Sequence, residues 1–232
     1  MSGNGLSIIM PVLNEAANIE MALAALAPYR ERGVELIVVD GGSRDGTPAL
    51  ARPLADHVCV ATRGRAMQMN AGRAAARGKV FLFLHADTRL PDNANKLILD
   101  GLARSGRVWG RFDIRFDRRG LLSLVACMMN LRSRLTGIAT GDQALFVTRS
   151  AFDAVGGFPP IALMEDISLS MHLKRIGRPL CLRARVTTSA RRWQKKGALR
   201  TIFLMWRLRL AYFFGADPAQ LARQYGYASP EQ

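Results

Sequence analysis

Three acidic motifs stand out by residue type and spacing: Asp40-Gly41-Gly42-Ser43-Arg44-Asp45-Gly46-Thr47, His85-Ala86-Asp87 and Glu165-Asp166. Asp40, followed by two glycines, offers a hydrogen-bond acceptor for a nucleoside beside backbone that a bound group can approach. Ordinary turn chemistry at Asp45-Gly46 would leave the same residues. His85 and Asp87 lie two residues apart, so in an extended segment they point the same way. Both ligate divalent ions, and a carboxylate-bound Mg²⁺ usually shares its shell with substrate phosphates; a capping Asp beside a buried His is the structural alternative. Glu165-Asp166 follows the loop Gly156-Gly157-Phe158-Pro159-Pro160 and opens a helix, where the dipole alone favours acids. The chemical reading is a general base taking a proton from an attacking hydroxyl. Arg191-Arg192-Trp193, with Lys195 and Lys196, is either a solvated charged face or a contact for a diphosphate or lipid phosphate.

These residues need elements that bring them together. Apolar runs of strand length precede the first two motifs, Val34 to Val39 and Lys79 to Leu84, after an opening run from Leu6 to Leu13. Asn14 is placed to cap a helix running through Ala27, with Glu15 in its first turn. A short helix from Thr47, a weaker strand at His57 to Ala61, a helix at Arg65 to Arg77 and another from Pro91 to about Arg104 complete a β-α alternation. That pattern predicts an α/β fold: a mostly parallel sheet with helices on both faces, its ligands at the carboxyl ends of the strands. Further on, Val108 to Phe116 reads as an edge or antiparallel strand, Leu121 to Leu135 as a helix, and Gly141 to Thr148 as a loop entering a strand. A helix over Glu165 to Ile176, a strand through Val186 and a last helix over Leu199 to Phe214 follow.

The 232 residues suit one core, and we expect a single domain over 1–232 with a basic, apolar helical segment at about 197–232. Net charge is +15, unevenly spread: 20 basic and 16 acidic residues up to Asp166, then 13 basic against only Asp217 and Glu231. Such a field attracts phosphates, nucleic acid or an anionic bilayer. Cys59, Cys127 and Cys181 lack metal-ligand or redox-pair spacing, and Met1 to Gly5 is short and polar, so a cytoplasmic protein without a signal peptide is expected. Arg207 and Arg209 interrupt the last helix on opposite faces, which argues against a membrane span but allows contact with the inner face of the cell membrane.

No dinucleotide fingerprint is present, because Ser43 stands where the middle glycine would, and no phosphate loop with Gly-Lys-Ser/Thr occurs. Taken in order, the motifs resemble glycosyltransferase family 2, the inverting nucleotide-sugar enzymes of GT-A fold, most nearly the small bacterial members of the arsenosugar-biosynthesis-type subgroup. The resemblance runs from Ser7 to about Trp193. Ser7 to Glu15 is similar to the family's opening strand, and Val38 to Thr47 to its nucleoside-binding turn. Arg65 and Asn70-Ala71-Gly72 resemble the segment before its metal strand. Gly141 to Phe146 with Arg149, then Gly156 to Phe158, resemble the acceptor side leading to Glu165-Asp166.

The resemblance implies a nucleotide-diphosphate sugar donor held by Pro11, Asn14, Glu15, Asp40, Gly41, Arg65, Asn70, Ala86, Asp87 and Arg192. It implies Mg²⁺ or Mn²⁺ on Asp87 and His85, and Asp166 as the base supported by Glu165. The acceptor would be a hydroxyl on a small molecule or lipid, with anionic membrane as a further contact and no nucleic acid expected. One position departs from the family: its Asp-x-Asp is here His85-Ala86-Asp87, which bears on metal affinity and preference. The rival reading, from the basic C-terminal third, is a nucleic-acid or anionic-membrane binding module on a degenerate glycosyltransferase fold. Its binding would fall steeply with salt. A nucleotidyltransferase or nicotinamide enzyme would need a glycine-rich loop after the first strand, where Pro11 to Glu15 stands instead.

Overall fold

The computed structural model describes residues 5–118, 120–191, 193 and 197–227. Its strands are β1 (Leu6–Val12), β2 (Glu35–Asp40), β3 (His57–Val60), β4 (Val80–Phe83), β5 (Thr88–Arg89), β6 (Trp109–Phe116), β7 (Phe146–Thr148) and β8 (Leu180–Thr188). They form an eight-stranded sheet in the order β3-β2-β1-β4-β7-β6-β8-β5. The first four strands pair in parallel. β7 runs antiparallel to both β4 and β6, and β6 and β8 are parallel again. The helices are α1 (Ala16–Ala24), α2 (Ala27–Glu31), α3 (Thr47–Ala51), α4 (Arg65–Ala75), α5 (Ala94–Ser105), α6 (Leu121–Thr136), α7 (Arg149–Ala154), α8 (Glu165–Ile176), α9 (Ala198–Phe213) and α10 (Pro218–Tyr225).

The near-continuous apolar runs of β1 and β2 are what a parallel strand covered on both faces requires. Ile8, Met10, Leu36 and Val38 pack on one side with Ile19 and Leu23 of α1 and Ile98 of α5. Ile9, Ile37 and Val39 pack on the other with Met69 of α4, Phe152 of α7 and Leu169 of α8. Each such side chain fully withdrawn from water contributes roughly 1.5–3 kcal/mol before entropy is charged against it. Gly72 lets α4 lie hard against β1: a Cβ there would stand 2.3 Å from Ile9 Cγ2. That approach sets the amino end of α4, and so Arg65, at the strands' carboxyl rim.

Two expectations need correction and a third resolves. Of the two readings of Val108 to Phe116, the antiparallel one holds and the edge one does not: β6 pairs antiparallel with β7 and lies between β7 and β8, and the edges are β3 and β5. Its alternating charges gave a polar-face pattern, but Arg111 and Asp113 are buried and pair with each other, and Arg134 of α6 reaches Asp113 at 2.5 Å. Asn14 does not cap α1, whose N-cap is Glu15. Asn14 takes a left-handed backbone (φ 52°) and its side chain accepts the Arg44 N–H at 2.9 Å. The first amides of α1 are instead served from about thirty residues away, Glu15 N–H by Thr47 Oγ1 at 2.9 Å and Ala16 N–H by Asp45 Oδ2 at 2.9 Å. The apolar helix over Leu199 to Phe214 is not the last, since α10 follows and packs back on it through Leu208, Leu221 and Ala222.

Candidate active site

A cleft of about 700 Å³ opens at the carboxyl ends of β1 and β4 and is walled by α6, α9 and α10. Pro11 and Glu15 reach it from the end of β1, Arg65 from α4, His85-Ala86-Asp87 from the end of β4, and Glu165-Asp166 from the start of α8. Residues separated by up to about 150 positions in the chain thus share one cavity.

The His85–Asp87 segment crosses the cleft floor. β4 lies mid-sheet, yet the residues just after Asp87 form β5 at the far edge, paired with β8 as Thr88 with Thr188. The Ser189 N–H donates to the Asp87 carbonyl at 3.2 Å. The Asp87 side chain is exposed, and its one described hydrogen bond is long, from the Thr88 hydroxyl at 3.4 Å. Its carboxylate therefore has acceptor capacity to spare. The half-buried His85 imidazole lies with Nδ1 3.5 Å from Asp142 Oδ1. Gly141 packs on that ring so closely that a Cβ would come within 2.6 Å of Cε1. No three His, Cys, Asp or Glu side chains converge among the described residues. A divalent ion completed by substrate phosphates needs only one or two protein carboxylates, so Asp87 with His85 beside it fits such an ion.

Asp166 accepts the Gly141 N–H on Oδ2 and the Ile167 N–H on Oδ1, both at 2.7 Å. The same glycine thus seats the imidazole and orients the carboxylate. Glu165 is buried, and its pKa is pushed up to about 7, first by burial and then by the Asp166 charge, against the pull of Arg65. Met164, immediately before the pair, holds a left-handed backbone at φ 70°. Strain of this kind in a non-glycine residue persists where the surroundings enforce it, often at functional sites. Burial opposes the Arg65 charge, but Tyr227, Glu165, Tyr225 and Asp142 outweigh it and hold the guanidinium above its ordinary pKa. Arg65 also faces the Tyr227 ring, 5.8 Å from its centroid.

Four of the expected donor residues lie outside the cleft lining. Asp40 is buried and both its oxygens serve its own loop: Oδ2 accepts the Gly42 and Ser43 N–H groups at 2.9 and 2.8 Å, and Oδ1 accepts the Ser43 hydroxyl at 2.5 Å. Gly41 lies against the Gln68 amide, which bridges the Val12 and Val39 carbonyls at 2.8 Å each. Asn14 is held by the same loop, as described. Asn70 clamps the backbone of Phe158 through its N–H at 3.0 Å and its carbonyl at 2.8 Å. Arg192 lies outside the described residues, although its neighbour Trp193 lines the cleft.

Sequence reasoning missed four cleft arginines, Arg63, Arg132, Arg209 and Arg223, and two of them, Arg132 of α6 and Arg209 of α9, are the more informative. Arg209 was visible only as an interruption of an apolar helix. Arg132, likewise in an apolar run, shows the same signal: a cation that such a helix has no structural use for. Burial and the charge of Arg209 press the Arg132 pKa down to about 10, with Asp166 opposing. Burial likewise lowers that of Arg209, again opposed by Asp166.

Residues 7–158 match the family model described as glycosyl transferase family 2. Over 90 residues the chain is 34% identical to Glycosyltransferase AglE of Haloferax volcanii, a stretch covering 35% of this chain and 30% of that protein. The chain thus matches under a third of the length of the curated relatives found. Among solved structures, residues 1–349 of S. aureus TarS superpose with a TM-score of 0.66 at 19% identity, over 80% of this chain and 60% of that one. The mannosyltransferase PcManGT of Pyrobaculum calidifontis, in complex with GDP-Man and Mn²⁺, gives a TM-score of 0.65 at 19% identity, over 98% of this chain and 70% of that one. At such identity these structures share its fold, the GT-A arrangement expected from the sequence.

Proposed function

This chain belongs to glycosyl transferase family 2, and from that premise we propose that it moves one sugar from a nucleotide-diphosphate donor to a hydroxyl acceptor with inversion. The observation that carries the reading is the convergence, in one cleft, of Arg65, Asp87 and the Glu165-Asp166 pair. Arg65 meets the donor's diphosphate, and Pro11, Glu15 and Ala86 bound the donor end. The Asp40 loop acts indirectly, holding β1 and α1 in register with β2 so that Pro11 and Glu15 reach the rim. Asp87 and His85 would hold Mg²⁺ or Mn²⁺, which would supply positive charge to offset that of the departing diphosphate. Mn²⁺ alongside GDP-Man in a structure of the same fold supports that choice.

Asp166 takes the acceptor proton. Its two backbone N–H bonds fix its direction. As the proton passes to the carboxylate, the acceptor oxygen bonds the anomeric carbon from the face opposite the leaving diphosphate, so the centre inverts. Burial and the neighbouring Asp166 charge push the Glu165 pKa up to about 7, so the role of base falls to Asp166 and Glu165 supports it. Titration with UDP, GDP and dTDP, each with and without Mn²⁺, tests the donor site. Metal-dependent binding of one nucleotide, lost in Asp87→Ala, is expected; no binding by the folded protein would remove the reading.

Peripheral contact with an anionic membrane is a second part of the proposal, carried by two exposed apolar faces. Leu121, Leu124, Met128, Leu131 and Leu135 recur at helical spacing along α6, and Phe203, Trp206, Leu210 and Phe213 along α9. No described helix is long and apolar enough to cross a bilayer. A face of this kind flanked by basic residues suits the lipid–water boundary, at the inner face of the cell membrane. Flotation with anionic vesicles, lost on Phe203→Ser/Phe213→Ser, is the expected result; a protein left entirely in solution at low salt would remove this part.

A further inference from the structure

The cleft contains more positive charge than donor binding uses. Arg132 and Arg209 both line it, from different helices. Nε and Nη2 of Arg132 and Nε of Arg209 are buried with no hydrogen-bond partner among the described residues. Nε and Nη2 form the edge of a guanidinium that grips an oxyanion with two parallel bonds. Three other arginines use that edge. Arg73 clasps both oxygens of Asp153 with it, Arg30 uses it on Asp56, and Arg149 uses it on the carbonyls of Ala76 and Gly78. Arg132 presents the same edge and holds nothing among the described residues. Unpaired buried donors on a cation are costly, more so with a second cation at hand. Such a pair persists when a ligand supplies the missing acceptors.

The pair lies with the base: Arg132 of α6 and Arg209 of α9 line the same cleft as Asp166, whose charge acts on both. Met128, Met129 and Met205 stand in the walls beside them, side chains that re-pack readily around a guest.

We infer that Arg132 and Arg209 form a subsite for a phosphomonoester carried by the acceptor, close to the hydroxyl that receives the sugar. This rests on the transfer reading above. A phosphomonoester brings three strong acceptor oxygens to the three orphaned donors of Arg132 and Arg209, whereas a carboxylate brings two. The phosphate belongs either to a soluble polyol or sugar phosphate or to a lipid; both present the same group to the arginines.

The test uses the fluorescence of Trp193 and Trp206, which line the cleft, during titrations at constant ionic strength. The probes are glycerol 3-phosphate, short-chain dihexanoyl phosphatidic acid, and UDP with Mn²⁺. A saturable response to one or both phosphomonoesters is expected, at least tenfold weaker in Arg132→Met and in Arg209→Met and intermediate in Arg132→Lys. The exposed Arg207, which bonds Gln224 at 3.2 Å, serves as control, and Arg207→Met should match wild type. UDP affinity should stay within twofold in every variant, and melting curves should show all of them folded. A response confined to phosphatidic acid assigns the lipid source, and one shared with glycerol 3-phosphate assigns the soluble one. No saturable response, or one untouched by both substitutions, overturns the subsite. UDP affinity falling in parallel also overturns it, giving the arginines to the donor diphosphate. Failure of UDP, GDP and dTDP alike to bind wild type with Mn²⁺ would strike the transfer reading alone.

Discussion

The acceptor wall of the cleft and the loop that frames its donor end are built on opposite principles. On the donor side, the polar residues around the ends of β1 and β2 are satisfied by the protein itself. Asp40 is saturated by its own loop, Gln68 bridges two strand carbonyls, and Ser43, Asp45 and Thr47 serve the backbone entering α1. On the acceptor side the ledger is open. Arg132 and Arg209 have orphaned donors, Glu165 resists ionisation, and Met164 carries backbone strain. The difference teaches which half is frame and which is working surface. A self-complete hydrogen-bond network holds geometry without a ligand, whereas uncompensated buried charge is stabilised chiefly when a ligand arrives. Substitutions on the two sides should therefore fail differently.

The largest effect is expected at Asp166, on the working side. Asp166→Asn should lower kcat by about 10²–10⁴-fold while nucleotide affinity and melting temperature stay near wild type, as steady-state kinetics with a working donor and acceptor would show. An undiminished rate would move the base elsewhere. Next comes Asp87→Ala, which should weaken Mn²⁺-dependent nucleotide binding by about tenfold to a hundredfold, the scale of a lost charge-assisted contact. Metal-independent binding should change little, and calorimetry separates the two.

Smaller and pH-dependent is Glu165→Gln. The folded pKa of about 7 lies above the ordinary 4.5, so the folded state binds more protons between those values. The stability associated with neutral Glu165 is complete below about pH 4.5 and is lost as pH rises through 7. Glu165→Gln should therefore melt above wild type by about 5 °C at pH 8, with the gap closing toward pH 5. A constant gap would show that the carboxyl does not titrate as described. The smallest effect tests the frame. Asp45→Asn should lower the melting temperature by about 2 °C at pH 7 and leave nucleotide binding nearly intact. The Asp45 pKa is lowered, chiefly by the Thr47 hydroxyl and the Ala16 N–H. Its contribution is present above the ordinary carboxylate pKa and lost as pH falls through the lowered one, so the two proteins should converge in acid. If Asp45→Asn abolished binding at constant stability, the frame would be working surface after all.

The legibility of the chain follows the same division. β1, β2 and β4 announced themselves because a parallel strand buried on both faces must be apolar throughout. The helix over Glu165–Ile176 was readable from end to end, its acids at one end and Lys174 and Arg175 at the other matching the dipole. β6 was harder, because Arg111 and Asp113 neutralise each other inside the sheet and an ion pair resembles a solvent face when only the letters are seen. β5 has two residues and no pattern of its own; it exists because β8 supplies a partner. Arg132 and Arg209 were letters in apolar helices until tertiary packing turned both toward Asp166.

By itself, then, the order of residues determined the α/β alternation and the family. It also named the carboxylates that meet in the cleft, since period, strand-end position and motif order are local properties. The fold decided which of the named residues face a ligand. Asp40, Gly41, Asn14 and Asn70 turned inward to hold loops together, while Asp87, Arg65, Glu165 and Asp166 stayed on the rim. It alone also brought two distant arginines into one wall with nothing to hold. Hydrogen-bond satisfaction and charge balance are sums over neighbours, and three-dimensional packing is what chooses the neighbours.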